Sequence, residues 1–238
     1  LIKRAETCVK HDPSRALCLL DSVKYYPHLT KGYKNLARFI RMFAYYKLDR
    51  NLDDFVNAPK LAKYFETLQD ANKASWIYFF SGKIAQKKHN FKEATIYLSE
   101  AIEFGQVVND SNLLLNVYCT MGELYSRQYD KQAAINAYQR ALTYKNSNRE
   151  GCWISYYIGN CYLHTKEYRK AMKAYCKAEK EAIIWETSGE IAQLLFNIGQ
   201  SYQQIADKTN ALRYFRKSLS HTVEKDELQG RCYLAMAK

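Results

Sequence analysis

Four segments of this 238-residue chain carry the same five spaced residues. Each set begins with Gly and continues with an aromatic residue or Ala at +3, Ala at +12, an aromatic residue or Leu at +16, and a small residue at +19. The sets are Gly82, Ala85, Ala94, Leu98, Ala101; Gly122, Tyr125, Ala134, Tyr138, Ala141; Gly159, Tyr162, Ala171, Tyr175, Ala178; and Gly199, Tyr202, Ala211, Phe215, Ser218. The glycines recur with a period of roughly 40 residues, which is typical of stacked-repeat proteins.

Each repeat contains two helical stretches separated by a short polar break. In residues 111–144, apolar residues recur at three- and four-residue steps, and a second apolar stripe follows Asp130, a suitable N-cap residue. The recurring Gly and Ala residues are expected where two helices cross closely, because only small side chains allow such an approach. The sequence therefore predicts an all-α solenoid of helix pairs.

The spacing of Gly, Tyr, Ala, aromatic residue and Ala resembles the tetratricopeptide repeat, a pair of antiparallel helices called A and B. Residues 121–141 and 158–178 carry the resemblance most clearly. It implies a right-handed α-α superhelix of about six helix pairs. The family's usual period is shorter, at about 34 residues, and the longer spacing here is similar to extended repeats of bacterial regulators and envelope scaffolds. We expect the extra residues at 105–111, 145–150 and 184–188, with Gly105 in a loop.

Three regions are predicted along the chain. Residues 1–72 form two degenerate helix pairs, with an apolar helical face at Ala16, Leu20 and Val23, a helix A over 36–48, and a helix B that restarts near Pro59. Residues 73–221 form four clear repeats. Residues 222–238 form a terminal helix, which either caps the solenoid or begins a further repeat.

The N-terminal residues resemble bacterial tetratricopeptide proteins that carry an export or lipoprotein signal upstream. That resemblance implies the cell envelope, on the periplasmic side, and a protein that continues before Leu1 and after Lys238. Seven cysteines without a CxxC pair favour a reducing compartment instead, so the cytoplasm is the alternative location. Cys161, close to a repeat glycine, is expected to be a core thiol.

Composition and motifs argue against catalysis and against specific nucleic-acid binding. The net charge of +12 is spread over the chain, with an excess of +5 in residues 1–72, +3 in 73–148 and +4 in 149–238. No run of five basic residues occurs, and no helix-turn-helix, zinc-finger or RNA-recognition signature is present. Phosphate-binding loops, nucleophile elbows and HExxH motifs are also missing from the sequence. We therefore predict no enzyme activity, no cofactor and no metal.

In tetratricopeptide proteins, helix A lines a concave groove, and the resemblance implies the same face here. Positions −6, −3, +1, +4 and +5 from each repeat glycine lie opposite the packing stripe and are expected to face a ligand. The predicted groove residues are Trp76, Phe79, Lys83, Gln86, Lys87, Asn116, Cys119, Glu123, Ser126, Arg127, Trp153, Tyr156, Asn160, Leu163, His164, Gln193, Phe196, Gln200, Gln203 and Gln204.

Aromatic residues beside amides are the usual make-up of protein-binding hot spots. The alternative is that some of these aromatics pack against the neighbouring helix A. Some family members hold a carboxylate with a clamp of Lys and Asn, but Phe79 and Cys119 occupy positions of a clamp Lys, and only Asn160 matches a clamp Asn.

The leading hypothesis is a non-catalytic scaffold that binds a peptide or protein segment in the groove, and an acidic partner suits the positive charge. An alternative makes the chain the sensory region of a larger bacterial transcription regulator, whose output domain lies outside these residues. A third hypothesis, direct nucleic-acid binding, predicts only weak and non-specific association.

Overall fold

The computed structural model describes residues 1–23, 26, 28–184, 188–222 and 227–237. Within these residues the chain forms thirteen α-helices and no β-strand. The helices α1 to α13, in chain order, are Ile2–Cys8, Pro13–Val23, Lys31–Lys47, Ala58–Thr67, Ala71–Lys87, Phe91–Val107, Ser111–Arg127, Lys131–Thr143, Asn148–His164, Tyr168–Ile184, Ser188–Gln204, Lys208–Ser220 and Glu227–Met236. They form six consecutive helix pairs and a final helix. None of the described helices combines the length and apolar character that crossing a bilayer requires.

The chain divides into two compact units, residues 1–117 and 118–238, with the division inside α7. Unit 1 contains α1 to α6 and the first part of α7. Unit 2 contains the rest of α7 and α8 to α13. The three regions predicted from the sequence follow the repeats, whereas this division cuts through one repeat.

The core of unit 1 is built mainly from aromatic rings. On α3, Phe39 lies 6.1 Å from Phe65 of α4, and Phe43 lies 4.9 Å from Trp76 of α5, measured between ring centroids. Phe80 of α5 is also fully buried. These edge-to-face contacts join α3 to both following helices and contribute about 0.5–1.5 kcal/mol each beyond the apolar area that they bury.

Five helices, α9 to α13, contribute residues to the core of unit 2. Phe196 of α11 packs on Phe215 of α12 with ring centroids 5.6 Å apart, and both rings are buried. Tyr202 stacks on Tyr214 at 5.2 Å between the same two helices. Cys232 of α13 is fully buried against this core, so the last helix covers the apolar end of the α11–α12 pair.

The four repeat glycines mark close helix crossings, as the sequence predicts. Each glycine faces the side chain sixteen residues later, on the partner helix of its pair. A Cβ atom added at these glycines would lie 2.7 Å from Leu98, 2.5 Å from Tyr138, 2.4 Å from Tyr175 and 2.7 Å from Phe215, for Gly82, Gly122, Gly159 and Gly199 respectively. Real Cβ atoms do not approach other atoms this closely, so only Gly permits these crossings.

The prediction that Gly105 lies in a loop is wrong. Gly105 is buried within α6, which continues to Val107, and an added Cβ would lie 3.1 Å from both Leu113 and Leu114 of α7. The extra residues of this repeat therefore lengthen helix B instead of forming a connection. The segment 145–150 also contains the start of α9, where Ser147 and Glu150 form a capping box, and part of 184–188 lies outside the described residues.

Tight turns of one recurring design follow seven of the described helices. In each turn a residue with positive φ is followed by a polar residue whose N–H bonds the carbonyl five residues earlier, as in a Schellman motif. The positive-φ residues are Asp49, Gln69, His89, Asn109, Tyr129, Lys166 and Ala206. In five of the turns the polar residue then caps the next helix: Asp70, Asn90, Asp110, Asp130 and Asp207 each accept a first-turn N–H. The prediction of Asp130 as an N-cap is thus confirmed.

The first seventy residues follow the predicted helices with one shift. Ala16, Leu20 and Val23 are buried on one face of α2, and α4 begins at Ala58 beside Pro59. The predicted helix A over 36–48 begins earlier, at Lys31, because Thr30 accepts the N–H of Tyr33 and caps the helix there. The sequence also predicts that Tyr26-Pro27 ends the helix that contains Ala16, Leu20 and Val23, and Pro27 lies outside the described residues.

Candidate ligand-binding surface

Two predicted groove aromatics of unit 1 are buried between helices. Trp76 is 5% exposed, and its indole Nε1 donates a hydrogen bond to Asp110 Oδ2 at 2.9 Å. Phe79 is 1% exposed, with its ring 5.4 Å from Tyr46 of α3. Both residues thus take the packing arrangement that the sequence left as the alternative, and neither ring is accessible to a ligand.

The polar groove positions of unit 1 contact neighbouring helices and loops. Lys83 lies over the Tyr46 ring with its Nζ 5.4 Å from the centroid, and Lys87 Nζ forms an ion pair with Asp53 at 2.8 Å. This bond, followed by one from Asn51, holds the pKa of the Asp53 carboxyl below its usual value. Asn116 is partly buried and accepts a hydrogen bond from the Tyr46 hydroxyl at 3.1 Å. Gln86 is buried. Unit 1 therefore presents few accessible side chains at the predicted positions.

In unit 2, the predicted residues on α7 are more exposed. Glu123 and Arg127 form an ion pair of 2.6 Å one helical turn apart, and each side chain is about half exposed. Such surface pairs stabilise a helix by about 0.3–0.5 kcal/mol, so their charges stay available to a partner. Cys119 is partly buried, and burial, with a smaller effect from Glu150, raises the pKa of its thiol to about 12. This thiol is therefore neutral at physiological pH.

On α9, three aromatic side chains form an accessible group. Trp153 and Tyr156 are partly buried and meet edge to face, with centroids 6.0 Å apart. Tyr157 is 44% exposed, stacks on Tyr138 at 5.7 Å and lies 5.5 Å from Tyr156. Trp153 and Tyr156 also pack against the core of unit 2, so their rings are held in place while part of their area remains free.

Amide side chains of α9 and α11 adjoin these rings. Gln193 donates to Asn197 at 2.8 Å, and Asn160 accepts a hydrogen bond from the Tyr175 hydroxyl at 2.7 Å. Burial raises the pKa of Tyr156, and hydrogen bonds with Asn160 and Asn197 oppose that rise. We call Trp153, Tyr156, Tyr157, Asn160, Gln193 and Asn197 the aromatic-amide surface.

Two members of the aromatic-amide surface are absent from the predicted groove positions. Tyr157 and Asn197 both stand two residues before a repeat glycine, a position that the groove offsets leave out. The residues at that position are Phe80, Thr120, Tyr157 and Asn197 in the four repeats. Phe80 gives way to side chains with polar groups at this position in the later repeats, and this difference could have indicated that the position is accessible there.

The remaining predicted positions differ in exposure. Phe196 is 2% exposed, with the Arg231 guanidinium of α13 at 4.6 Å from its ring centroid, so it belongs to the core of unit 2. His164, Gln200 and Gln204 are exposed, and Ser126 and Leu163 are partly buried. Gln203 donates to the backbone carbonyl of Ala235 at 3.3 Å. The exposed members extend the aromatic-amide surface along α9 and α11 with polar side chains.

The chemistry of this surface is that of recognition. Its tyrosine hydroxyls are protonated at physiological pH, because the ordinary pKa of Tyr is about 10 and burial raises the pKa of both Tyr156 and Tyr157 further. Its amides carry both donors and acceptors, which suits the backbone of an extended chain. Among the described residues, no three His, Cys, Asp or Glu side chains come together as metal ligands.

Comparisons with known proteins agree with the repeat architecture. Residues 73–147 and 192–220 match the tetratricopeptide repeat family. The apo form of RapI superposes with a TM-score of 0.75 at 12% identity, covering 99% of this chain and 68% of that one. A Rap protein complexed with competence and sporulation factor superposes with a TM-score of 0.62 at 17% identity, covering 92% of this chain and 64% of that one. BtubC (BKLC) from P. vanneervenii superposes with a TM-score of 0.63 at 16% identity, covering 78% of this chain and 82% of that one. No curated protein sequence matches.

These structural likenesses, with so few identical residues, show the fold alone. Residues 73–147 and 192–220 are thus tetratricopeptide repeats, and the chain has the α-α superhelical fold. This fold generally serves as a scaffold for protein interactions, without catalysis.

Proposed function

We propose that this protein is a non-catalytic scaffold that binds a peptide or protein segment through the aromatic-amide surface of unit 2. The observation that supports the proposal most directly is that Trp153, Tyr156 and Tyr157 remain partly accessible while Trp76, Phe79 and Phe196 are buried. Aromatic rings held by a core beneath them lose little conformational freedom on binding, so they contribute affinity efficiently. The similar Rap protein is in complex with competence and sporulation factor, which fits a recognition role for this fold.

The bound segment is expected to be extended and largely neutral where it meets the amides. Asn160, Gln193 and Asn197 can pair with backbone N–H and C=O groups, which every peptide carries. Acidic side chains of the partner would be placed near Arg127 and the basic remainder of the surface. The alternative of a sensory region in a larger transcription regulator concerns residues beyond this chain and stays a prediction.

The test uses a displayed random-peptide library selected on the purified chain, followed by affinity measurements with the enriched peptides. Trp153→Ala and Asn197→Ala are expected to weaken binding about 30-fold or more and about tenfold, respectively, because the first removes a central anchor and the second a buried-interface hydrogen bond. Tyr129→Ala is the matched control, since Tyr129 is 87% exposed in the α7–α8 turn and belongs to neither α9 nor α11. Circular dichroism would verify that each variant keeps its helices.

Two outcomes would contradict the proposal. Peptides that bind Trp153→Ala and Asn197→Ala as tightly as the unchanged chain would place the site elsewhere on the molecule. A selection that enriches no peptide above the background would show that the chain does not recognise linear segments.

A further inference from the structure

A basic cleft in unit 1 shares no residue with the aromatic-amide surface. It has a volume of about 670 Å³ and runs between α3, α4 and the turn that precedes α4. Four cationic side chains and one carboxylate line it, namely Lys31, Arg38, Arg41, Lys60 and Asp54. Ligand pockets for small molecules have volumes of about 300–1,000 Å³, so the cleft is large enough for one.

The cations of the cleft are only partly balanced by carboxylates. Arg41 forms an ion pair of 3.2 Å with Asp21, and both side chains are substantially exposed. Within the described part of the chain, Lys31, Arg38 and Lys60 form no ion pair, and neither does Asp54. A concave site with this excess of positive charge concentrates anions, because its walls focus the field.

A buried amide points to a ligand in the same cleft. Asn35, on α3 between Lys31 and Arg38, is 6% exposed and lines the cleft. Among the described residues its side chain has no hydrogen-bond partner. The Asn35 amide atoms are not among the fully buried side-chain atoms that lack a partner, so they keep access to the cleft although the rest of the residue is covered. The Asn35 amide N–H is therefore available to an oxygen of a bound anion.

The first turn of α4 adds a third favourable group. α4 is ten residues long, and its N-cap residue, Asn57, makes no side-chain capping bond. Asn57, Ala58 and Lys60 all line the cleft. Ala58 N–H donates to the Phe55 carbonyl at 2.9 Å and Pro59 carries no N–H, so among the described first-turn residues the Lys60 N–H is the donor left for an anion at the positive end of the helix dipole.

We propose that the α3–α4 cleft binds a small organic anion that carries phosphate or carboxylate groups. Arg38, Lys60 and the start of α4 hold the anionic oxygens, and Asn35 donates a further hydrogen bond. Phe55 and Tyr64, which also line the cleft, contact the organic body of the ligand. A small molecule fits better than a nucleic acid, because the positive charge is spread evenly over the chain and the sequence contains no long basic run.

The test is isothermal titration calorimetry of the whole chain with pyrophosphate and with citrate, at low ionic strength. Binding of either probe supports the proposal, and the preferred probe identifies the anion chemistry. Arg38→Gln and Lys60→Gln are each expected to weaken that binding about tenfold or more, since each removes a charge-assisted hydrogen bond. Lys63→Gln is the matched control: it makes the same charge change on an exposed side chain of α4 outside the cleft.

Asn35→Leu separates binding from folding. The substitution replaces the Asn35 amide with an apolar side chain of similar size. The melting temperature is therefore expected to stay unchanged or rise, while the affinity for the probe falls. Three results would overturn the proposal: no heat of binding at millimolar probe, an equal loss of affinity in Lys63→Gln, or unchanged affinity in both Arg38→Gln and Lys60→Gln. Tighter binding of a hexaglutamate peptide than of either probe, abolished by Arg38→Gln, would overturn the small-molecule assignment and identify an acidic protein segment as the occupant.

Discussion

At the scale of single residues, one pairing recurs through the protein. A glycine on the first helix of a pair accommodates a large side chain sixteen residues later, and the same pairing occurs in all four clear repeats. In the third repeat the partner is Tyr175, which is 2% exposed and whose hydroxyl bonds both Asn160 and Ser201. This ring cannot move away from Gly159 without breaking those bonds, so the glycine is required for steric reasons.

Gly159→Ala should therefore destabilise the protein, although Ala is the better helix former by about 1 kcal/mol. Overpacking a tight contact costs about 1–3 kcal/mol, which exceeds the gain in helix propensity. Gly230→Ala is the control, because an added Cβ at Gly230 in α13 meets no atom within 4 Å. That substitution should raise the free energy of unfolding by about 0.5–1 kcal/mol. Urea denaturation of both variants measures the two effects, and stabilisation by Gly159→Ala would contradict the proposed steric role.

At the scale of elements, the turns that follow the helices are as regular as the helices themselves. The first five positive-φ residues, from Asp49 to Tyr129, recur at a constant interval, and none of the seven such residues is glycine. L-residues in this region cost about 1–2 kcal/mol each, so every turn retains some strain. The strain is offset by the backbone bond that closes the turn and by the side-chain cap that starts the next helix.

Ala206→Gly is expected to relieve this strain in the turn between α11 and α12. Ala206 has φ of 60° and an exposed side chain that makes no bond to compensate the strain. Glycine adopts this conformation freely but adds about 0.4–1 kcal/mol of entropy to the unfolded chain, so the net gain should be about 0.5 kcal/mol.

The control for this turn is Ala174→Gly, inside α10, which should lower stability by about 1 kcal/mol. Both variants can be compared by thermal melting under one condition. A lower melting temperature for Ala206→Gly would show that the alanine methyl makes a contact worth more than the strain.

At the scale of the whole molecule, the protein consists of repeats that interact mainly with their neighbours in sequence. Each compact unit has its own core, aromatic at α3–α5 in unit 1 and centred on α11 and α12 in unit 2. In such proteins stability is approximately a sum of repeat terms and nearest-neighbour interfaces. A destabilising substitution in one repeat should therefore lower the stability of that repeat and its neighbours more than that of distant repeats.

Hydrogen exchange measured by mass spectrometry tests this expectation with the Gly159→Ala variant. Amides of α9 and α10 should lose protection most, those of α11 less, and those of α5 and α6 in unit 1 least. The physical reason is that only neighbours share an interface with the disturbed crossing. An equal loss of protection in all helices would show that the two units unfold as one cooperative structure.

Local sequence patterns were enough to predict the helix pairs, the close crossings at the repeat glycines and the tetratricopeptide repeats. These features depend on local periodicity and on residue spacing within one repeat, which can be read without tertiary neighbours. Gly105 is the exception, because the sequence contains no signal that separates a longer helix B from a longer loop. Its neighbours Leu113 and Leu114 decided the outcome by packing against it.

Which of the predicted groove residues are accessible depends on packing between helices that are distant in sequence. A 3.6-residue period assigns each residue to a face of its helix, but a helix A here packs against its partner helix and also against the preceding helix A. Trp76 and Phe79 are buried because Phe43 and Tyr46, some thirty residues earlier, lie against them, and Phe196 is buried by α12 and α13. Trp153 and Tyr156 are only partly buried, because the described helices that pack against α9 cover only part of each ring.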